Sequence, residues 1–402
     1  MSFPRGTVRP RNDLKSIGYH TGVVTFFGSM MDEEEEQGEE ELGGAMAEVP
    51  TPRENPLLLG HEAAEEALLQ AHRSGRLPHA WLIGGPRGIG KATLAFRFAR
   101  FLFAEGRGGS LFAAAPRSLA LPPEDPVFRR VAGGGHADLL VVERGLDPKR
   151  KKLRSEIVVD DTRAIATFLR LTPAEGSWRV VIVDGADVMN RNAANALLKV
   201  LEEPPQRAVL LLVSDNPGRL LPTIRSRCRM LALKPLPASV VLEALDRYRP
   251  DLAAGDRAIL AQLAEGSIGR ALDLAGAGGL ALYRSLVKLL ERLPELDPAA
   301  LHAFAEGLQR GEGEEAFRLL AELLPGWLAR MVALASGVGA GEQAALPGEA
   351  QAMRRLAARR SLDQWVEVWE KLTHLFAQAD SVNLDRKQVV LNAFFALEDA
   401  AR

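Results

Sequence analysis

Cysteine is almost missing from this chain. Cys228 is the only one in 402 residues, which excludes an internal disulfide and any multi-cysteine zinc site. Long apolar runs are missing too. The most tempting stretch, Leu319 to Ser336, is interrupted by Glu322, Pro325 and Arg330, so it falls short of the roughly 20 apolar residues that span a bilayer. The N-terminus carries early arginines with no apolar core behind them, unlike a secretory signal. A cytoplasmic protein without membrane association is the expectation. An excess of one charge sign is also absent, since 50 Lys and Arg face 52 Asp and Glu for a formal net charge of −2. The balance is uneven, because eight acids fall between Asp32 and Glu41, and without them 44 acids face 50 bases. A surplus of that size permits contact with a polyanion and does not require it.

What is present is enough chain for two or three cores. Residues 1–54 show no sustained period and include the acidic block, which repels itself and buries nothing, so a disordered acidic extension is expected. Met30 and Met31 stand directly before that block, and a translation start there is the alternative. Residues 55–236 alternate short apolar strands with helices, the pattern of a parallel sheet covered on both faces. Strands are expected at His79–Ile83, Leu139–Val142, Arg179–Asp184 and Val209–Val213. Helices are expected at Glu62–His72, Lys91–Phe103, Asp161–Arg170 and Asn192–Glu202. Pro235-Leu236-Pro237 ends the block. Beyond it no strand pattern remains: 237–280 reads as a small helical unit and 281–402 as a larger all-helical unit. Ser361 and Gln364 have capping-box spacing ahead of a helix beginning near Leu362, in which Trp365, Trp369, Leu372 and Phe376 form one apolar stripe.

The stretch from Gly84 to Thr93 follows a strand and opens a helix, where a phosphate-binding loop belongs. Gly85, Gly90 and Lys91 match G-x-x-x-x-G-K: glycines let backbone N–H groups wrap a phosphate while the lysine and the helix N-terminus add positive charge. The next position should carry the hydroxyl that reaches Mg²⁺, and here it is Ala92. Thr93 lies about 100° further round the helix and is expected to point elsewhere. Asp184 ends its strand as a magnesium-orienting carboxylate should, but the water-polarising glutamate expected next is replaced by Gly185, and Asp187 is a poor substitute. The residues favour a loop kept for its fold. Gly85, Gly90, Lys91, Thr93 and Asp184 remain a degenerate candidate nucleotide site, with ATP binding weak or absent and no cofactor or metal required.

Two further motifs carry a resemblance. The helix Asn192 to Glu202, run on into Glu203-Pro204-Pro205, resembles the "NALLK-LEEPP" helix of the bacterial clamp-loader AAA+ family. Downstream, Ser226-Arg227-Cys228 resembles that family's S-R-C motif. The resemblance covers about 55–402, including Gly135-His136-Ala137-Asp138, a sensor-2-like Gly266 to Ala271 with Gly269 at the usual arginine position and Arg270 one place along, and Val382 to Arg386. The substitutions at Ala92 and Gly185 resemble the family's delta-prime branch of DNA polymerase III, whereas the ATP-hydrolysing gamma/tau branch keeps both parts.

That resemblance implies an AAA+ P-loop domain, a lid and a helical collar. It implies a hetero-pentameric ring with gamma/tau and delta subunits that loads a sliding clamp on primer-template DNA for a DNA-directed DNA polymerase (nucleotidyltransferase) holoenzyme. It also implies that Arg227 acts in trans as an arginine finger on a neighbour's γ-phosphate, a task suited to a planar cation. A surface salt bridge is the alternative for Arg227, disfavoured by its place in the S-R-C motif. Cys228 reads as a small buried hydrophobe, and His136 as a hydrogen-bonded loop histidine. The basic run from Lys149 to Arg154 reads as a solvated loop, with DNA-backbone contact the alternative. An active AAA+ ATPase of gamma/tau or helicase-loader type is the rival reading of the whole chain.

Overall fold

The computed structural model describes residues 49–106, 118–146, 153–175, 178–276, 278–308, 313–337, 344–382 and 384–402. Most of the acidic extension and the cations Lys149 to Lys152 lie outside them.

The first half alternates as the apolar pattern requires. In order come α1 (Glu62–Arg73), β1 (Ala80–Gly84), α2 (Lys91–Glu105), α3 (Pro126–Ala132), β2 (Leu139–Val142), α4 (Val159–Arg170), β3 (Arg179–Asp184), α5 (Arg191–Glu202), β4 (Ala208–Ser214), α6 (Pro222–Arg225) and β5 (Arg229–Ala232). The strands form one sheet in the order β2-β3-β4-β1-β5, with every pairing parallel. Strict alternation divides its side chains. Trp81, Ile83, Val180, Ile182, Val209 and Leu211 face a core shared with α1, α2 and α3. Ala80, Leu82, Val181, Val183, Leu210 and Leu212 face the other core, shared with α4, α5 and α6. Both faces are covered, which is why these strands read as continuous apolar runs. The expected α/β class with a parallel sheet is the observed one.

Three elements escaped the sequence pattern: α3, the four-residue α6 and β5. α3 begins with Asp125, whose carboxylate accepts from the Val127 amide, followed by Pro126 at the first helical position, a start signal that is clear once a short helix is sought. β5 is an edge strand whose Arg229, Met230 and Ala232 are exposed, so it lacks the apolar run that marks the central strands.

Past β5, the described residues form helices only: α7 (Ala238–Tyr248), α8 (Ala254–Leu263), α9 (Ile268–Gly276), α10 (Gly279–Glu291), α11 (Pro298–Gly307), α12 (Gly313–Ala335), α13 (Glu349–Ala357), α14 (Leu362–Val382) and α15 (Arg386–Ala401). Their buried side chains form one cluster that runs from Leu236 through Leu260, Leu286 and Trp327 to Ala401, without a break at residue 280. The capping box of α14 is present, with the Ser361 amide 3.3 Å from Gln364 Oε1 and the Gln364 amide 3.4 Å from Ser361 Oγ. Trp365, Leu372 and Phe376 are buried, but Trp369 is exposed. The expected stripe is therefore narrower than its spacing suggests, because Trp369 lies at the edge of the face that α12 and α15 cover.

Candidate nucleotide-binding site

Parallel strands bring the C-terminal ends of β1, β3 and β4 to one edge, and a cavity of 370 Å³ opens there. Gly88, Gly90, Lys91, Thr93 and Asp184 line it, together with Asp215, the loop around Asn55, and Tyr248, Ile268 and Gly269 from the helical region. Thr93, expected to turn away, does border the cavity, because the wall wraps the first turn of α2. Gly85 does not line it. Its backbone has φ 154°, and a Cβ there would stand 2.5 Å from the Leu233 carbonyl oxygen, so this glycine serves the passage of the chain beside the residues that follow β5.

The loop itself is held by protein. Four successive carbonyls each accept a hydrogen bond: Pro86 from Lys91 Nζ, Arg87 from Ser267 Oγ at 2.8 Å, Gly88 from the Gly269 amide at 2.8 Å, and Ile89 from His61 Nε2 at 2.7 Å. Lys91 also pairs with Asp215 at 2.6 Å and is buried. The cation that would meet a phosphate is thus already neutralised from within. Gly88 and Gly269 pack backbone on backbone, since a Cβ on Gly269 would lie 2.9 Å from Gly88 Cα. The sensor-like arginine is absent from this wall: Arg270 turns to Glu265 at 2.9 Å.

The acidic side has the same character. Gly185 has φ 85°, a conformation that a glutamate would adopt only with strain. Asp187 spends a carboxylate oxygen on the Asp215 amide at 3.0 Å. Burial raises the pKa of Asp184, with Glu143 and Asp215 pushing the same way against Lys91. Its folded pKa therefore lies above the ordinary 3.8, so ionised Asp184 costs stability above that folded value, and the cost disappears below the unfolded one. Asp184→Asn is expected to raise the melting temperature at pH 7, with the gain fading as the pH falls toward about 4. Thermal unfolding at the two pH values checks this, and an equal gain at both would refute it.

Arg227 lies apart from the cavity, on the loop between α6 and β5. Its NH2 donates to Glu202 Oε1 at 2.8 Å and its NH1 to the Thr223 carbonyl at 3.0 Å. The three motif residues divide their tasks by direction. Ser226 Oγ folds back on the Thr223 carbonyl at 3.1 Å, Arg227 points outward, and Cys228 packs against the core under α5 and α6. Burial pushes the Cys228 thiol up to about 12, which suits a small hydrophobe and not a nucleophile.

His136 is buried and stacks on Phe103 with centroids 3.9 Å apart, its Nδ1 accepting from the Asp138 amide. Asp138, fully buried, accepts from the Ala174 and Glu175 amides and faces Arg179 at 3.5 Å, so this motif ties β2 to the loop after α4. Of the basic run, Arg154 is described, 4.0 Å from Asp161. Among the described residues, no cluster of His, Cys, Asp and Glu could hold a metal ion, and no helix is long and apolar enough to cross a membrane.

Residues 60–237 match the protein family described as DNA polymerase III, delta subunit. In this segment the chain is similar to clamp-loader-type DNA polymerase III subunits. DNA polymerase III subunit delta′ of Pseudomonas aeruginosa is 40% identical over 201 residues, covering 50% of this chain and 56% of that protein. DNA polymerase III subunit tau of Escherichia coli is 30% identical over 274 residues, covering 66% of this chain and 39% of that protein. The matched stretch therefore spans about half, or less, of the length of these relatives. Among solved structures, a DNA polymerase III gamma-subunit-related protein from Thermotoga maritima is 22% identical with a TM-score of 0.37, covering 83% of this chain and all of that one.

Several contributors to these contacts were given no role of their own by sequence: His61, Asp215, Ser267 and Glu202. Asp215 had a usable signal, since it directly follows a buried strand and so stands at the same sheet edge as Lys91. Ser267 lay within the sensor-2-like stretch and His61 in no motif, and the contacts of both depend on loops packed across 180 and 28 residues of chain.

Proposed function

We propose that this chain is the delta-prime-type subunit of a clamp loader: a non-hydrolysing ring member that contributes to ATP-driven loading of a sliding clamp on primer-template DNA and gives Arg227 to a neighbour's nucleotide. The observation that carries the first half is the commitment of Lys91 to Pro86 and Asp215. With Ala92 and Gly185 in the positions of the metal-binding hydroxyl and the water-polarising carboxylate, a triphosphate would meet two carboxylates and an already paired lysine at this cavity, with Arg87 its other lining cation. Support for the second half is the placement of Arg227 on an outward-facing loop, as a group that works in trans requires. The neighbours in such a ring would be gamma/tau and delta subunits, with DNA reached through the complex.

The test is ATP turnover by the purified chain alone. No measurable turnover is expected. Hydrolysis at the rate of an ordinary AAA+ enzyme that is abolished by Lys91→Ala would replace this reading with that of an active ATPase of the gamma/tau kind.

A further inference from the structure

The two motifs that suggested the family meet in space. Glu202 closes α5, the helix of the first motif, and reaches Arg227 of the second across 25 residues of chain. We infer that Glu202 is a positioning residue for Arg227: with the Thr223 carbonyl it fixes the guanidinium in an outward, pre-oriented pose, ready for an anion supplied by another chain. This rests on the trans-acting reading above.

Four observations favour this over an incidental surface pair. The two acceptors are rigidly mounted. Thr223 sits in α6 beside the fully buried Ile224, and Glu202 follows the buried Val200 and Leu201 and precedes Pro204-Pro205. The guanidinium uses NH1 once and NH2 once, and of its five N–H donors three remain for an outside anion in a planar fork. A carboxylate at a helix C-terminus opposes the helix dipole, so Glu202 is locally misplaced unless a cation offsets it. Arg225, on the same exposed segment, makes no ion pair among the described residues, so the local chain does not impose such a contact on every arginine. At 36% and 49% exposure, the pair adds little to folding stability. What it supplies is orientation, which matters where a finger must be in place before a phosphoryl group moves.

The experiment uses the reconstituted complex with the full chain as wild type, Glu202→Ala, Glu202→Gln, Arg227→Ala and the Glu202→Ala/Arg227→Ala pair. Clamp- and DNA-stimulated ATP hydrolysis is measured at the site served, together with ¹⁵N relaxation of Arg227 Nε in the isolated chain. Glu202→Ala is expected to lower kcat by roughly 3- to 10-fold with KM unchanged, a cost of lost orientation, and to lower the Arg227 Nε order parameter. Glu202→Gln should recover most of both, since its carbonyl oxygen still accepts. The double variant should be no slower than Arg227→Ala, because each change removes the same function. Wild-type kcat in Glu202→Ala while Arg227→Ala is slow would overturn the positioning role and leave the trans reading standing. A kcat above wild type would make Glu202 a brake and also overturn it, as would a double variant slower than Arg227→Ala. Wild-type hydrolysis by Arg227→Ala itself would remove the trans reading and this role with it.

Discussion

Arg227→Ala is expected to leave the chain folded and assembled and yet to impair hydrolysis in a different subunit. Arg227 is a loop residue held by one exposed carboxylate and one backbone carbonyl, so its truncation opens no core cavity. Loss of an arginine finger costs on the order of 10³-fold at the site it serves. Under the proposed function other sites would use other subunits' arginines, so total hydrolysis by the complex should fall far less, and clamp loading should slow. Arg227→Lys should rescue poorly, since an ammonium keeps the charge and loses the planar fork. Arg225→Ala, two residues earlier and unpaired among the described residues, is the control and should behave as wild type. Steady-state ATPase and clamp-loading assays on reconstituted complexes decide the matter, and wild-type rates for Arg227→Ala would reduce this residue to a surface salt bridge.

Arg330→Ala should have the largest effect on stability. Arg330 on α12 lies between two carboxylates, 3.6 Å from Glu349 and 3.8 Å from Glu265, and donates to Tyr283 Oη at 2.6 Å. Glu349 is fully buried, accepts from Tyr283 Oη and caps the Ala345 and Leu346 amides at 2.7 and 2.8 Å. Burial raises the Tyr283 pKa, so the phenol stays a donor. Removing the arginine strands a buried carboxylate without its counter-charge, at a cost of about 3–5 kcal/mol. For a helical region of this size that corresponds to a fall in melting temperature of roughly 10 °C. Adding Glu349→Gln should restore part of the loss, because it removes the uncompensated charge. If it restores nothing, the arginine acts through the packing of its stem and the electrostatic account is wrong. The same side chain reaches from α12 to Glu265, which also holds Arg270 just beyond the Ser267–Arg87 contact. Hydrogen exchange in Arg330→Ala should therefore rise in α9 as well as in α12 and α13.

The strands were legible wherever burial on both faces imposed an unbroken apolar run. Arg179–Asp184 forms over the expected residues because a strand covered by helices on both sides tolerates little else, and Leu139–Val142, although at an edge of the sheet, does so because its four residues are all apolar. β5, at the opposite edge, was not legible, since its mostly exposed residues, Arg229 among them, break the apolar run. Trp369 shows the opposite failure: its spacing fits the buried face of α14, yet whether a boundary position is covered depends on how far neighbouring helices reach. The missing hydroxyl at Ala92 and missing carboxylate at Gly185 could be read directly, being local features of a known geometry. The fate of Lys91 could not, because Asp215 is 124 positions away in sequence and meets it only when β1 and β4 lie side by side.

By itself, then, the sequence determined the alternation of strands and helices, the all-helical second half, the phosphate loop and the two parts it lacks. Each is a property of a short window whose period or residue types have only one low-energy use. The tertiary structure alone decided the rest: that the loop's four carbonyls are tied to Lys91, His61 and the helical region, that Lys91 is neutralised by Asp215, and that Glu202 holds Arg227. These pairings join residues far apart in the chain, and their energy depends on distances of about 3 Å that no local pattern encodes.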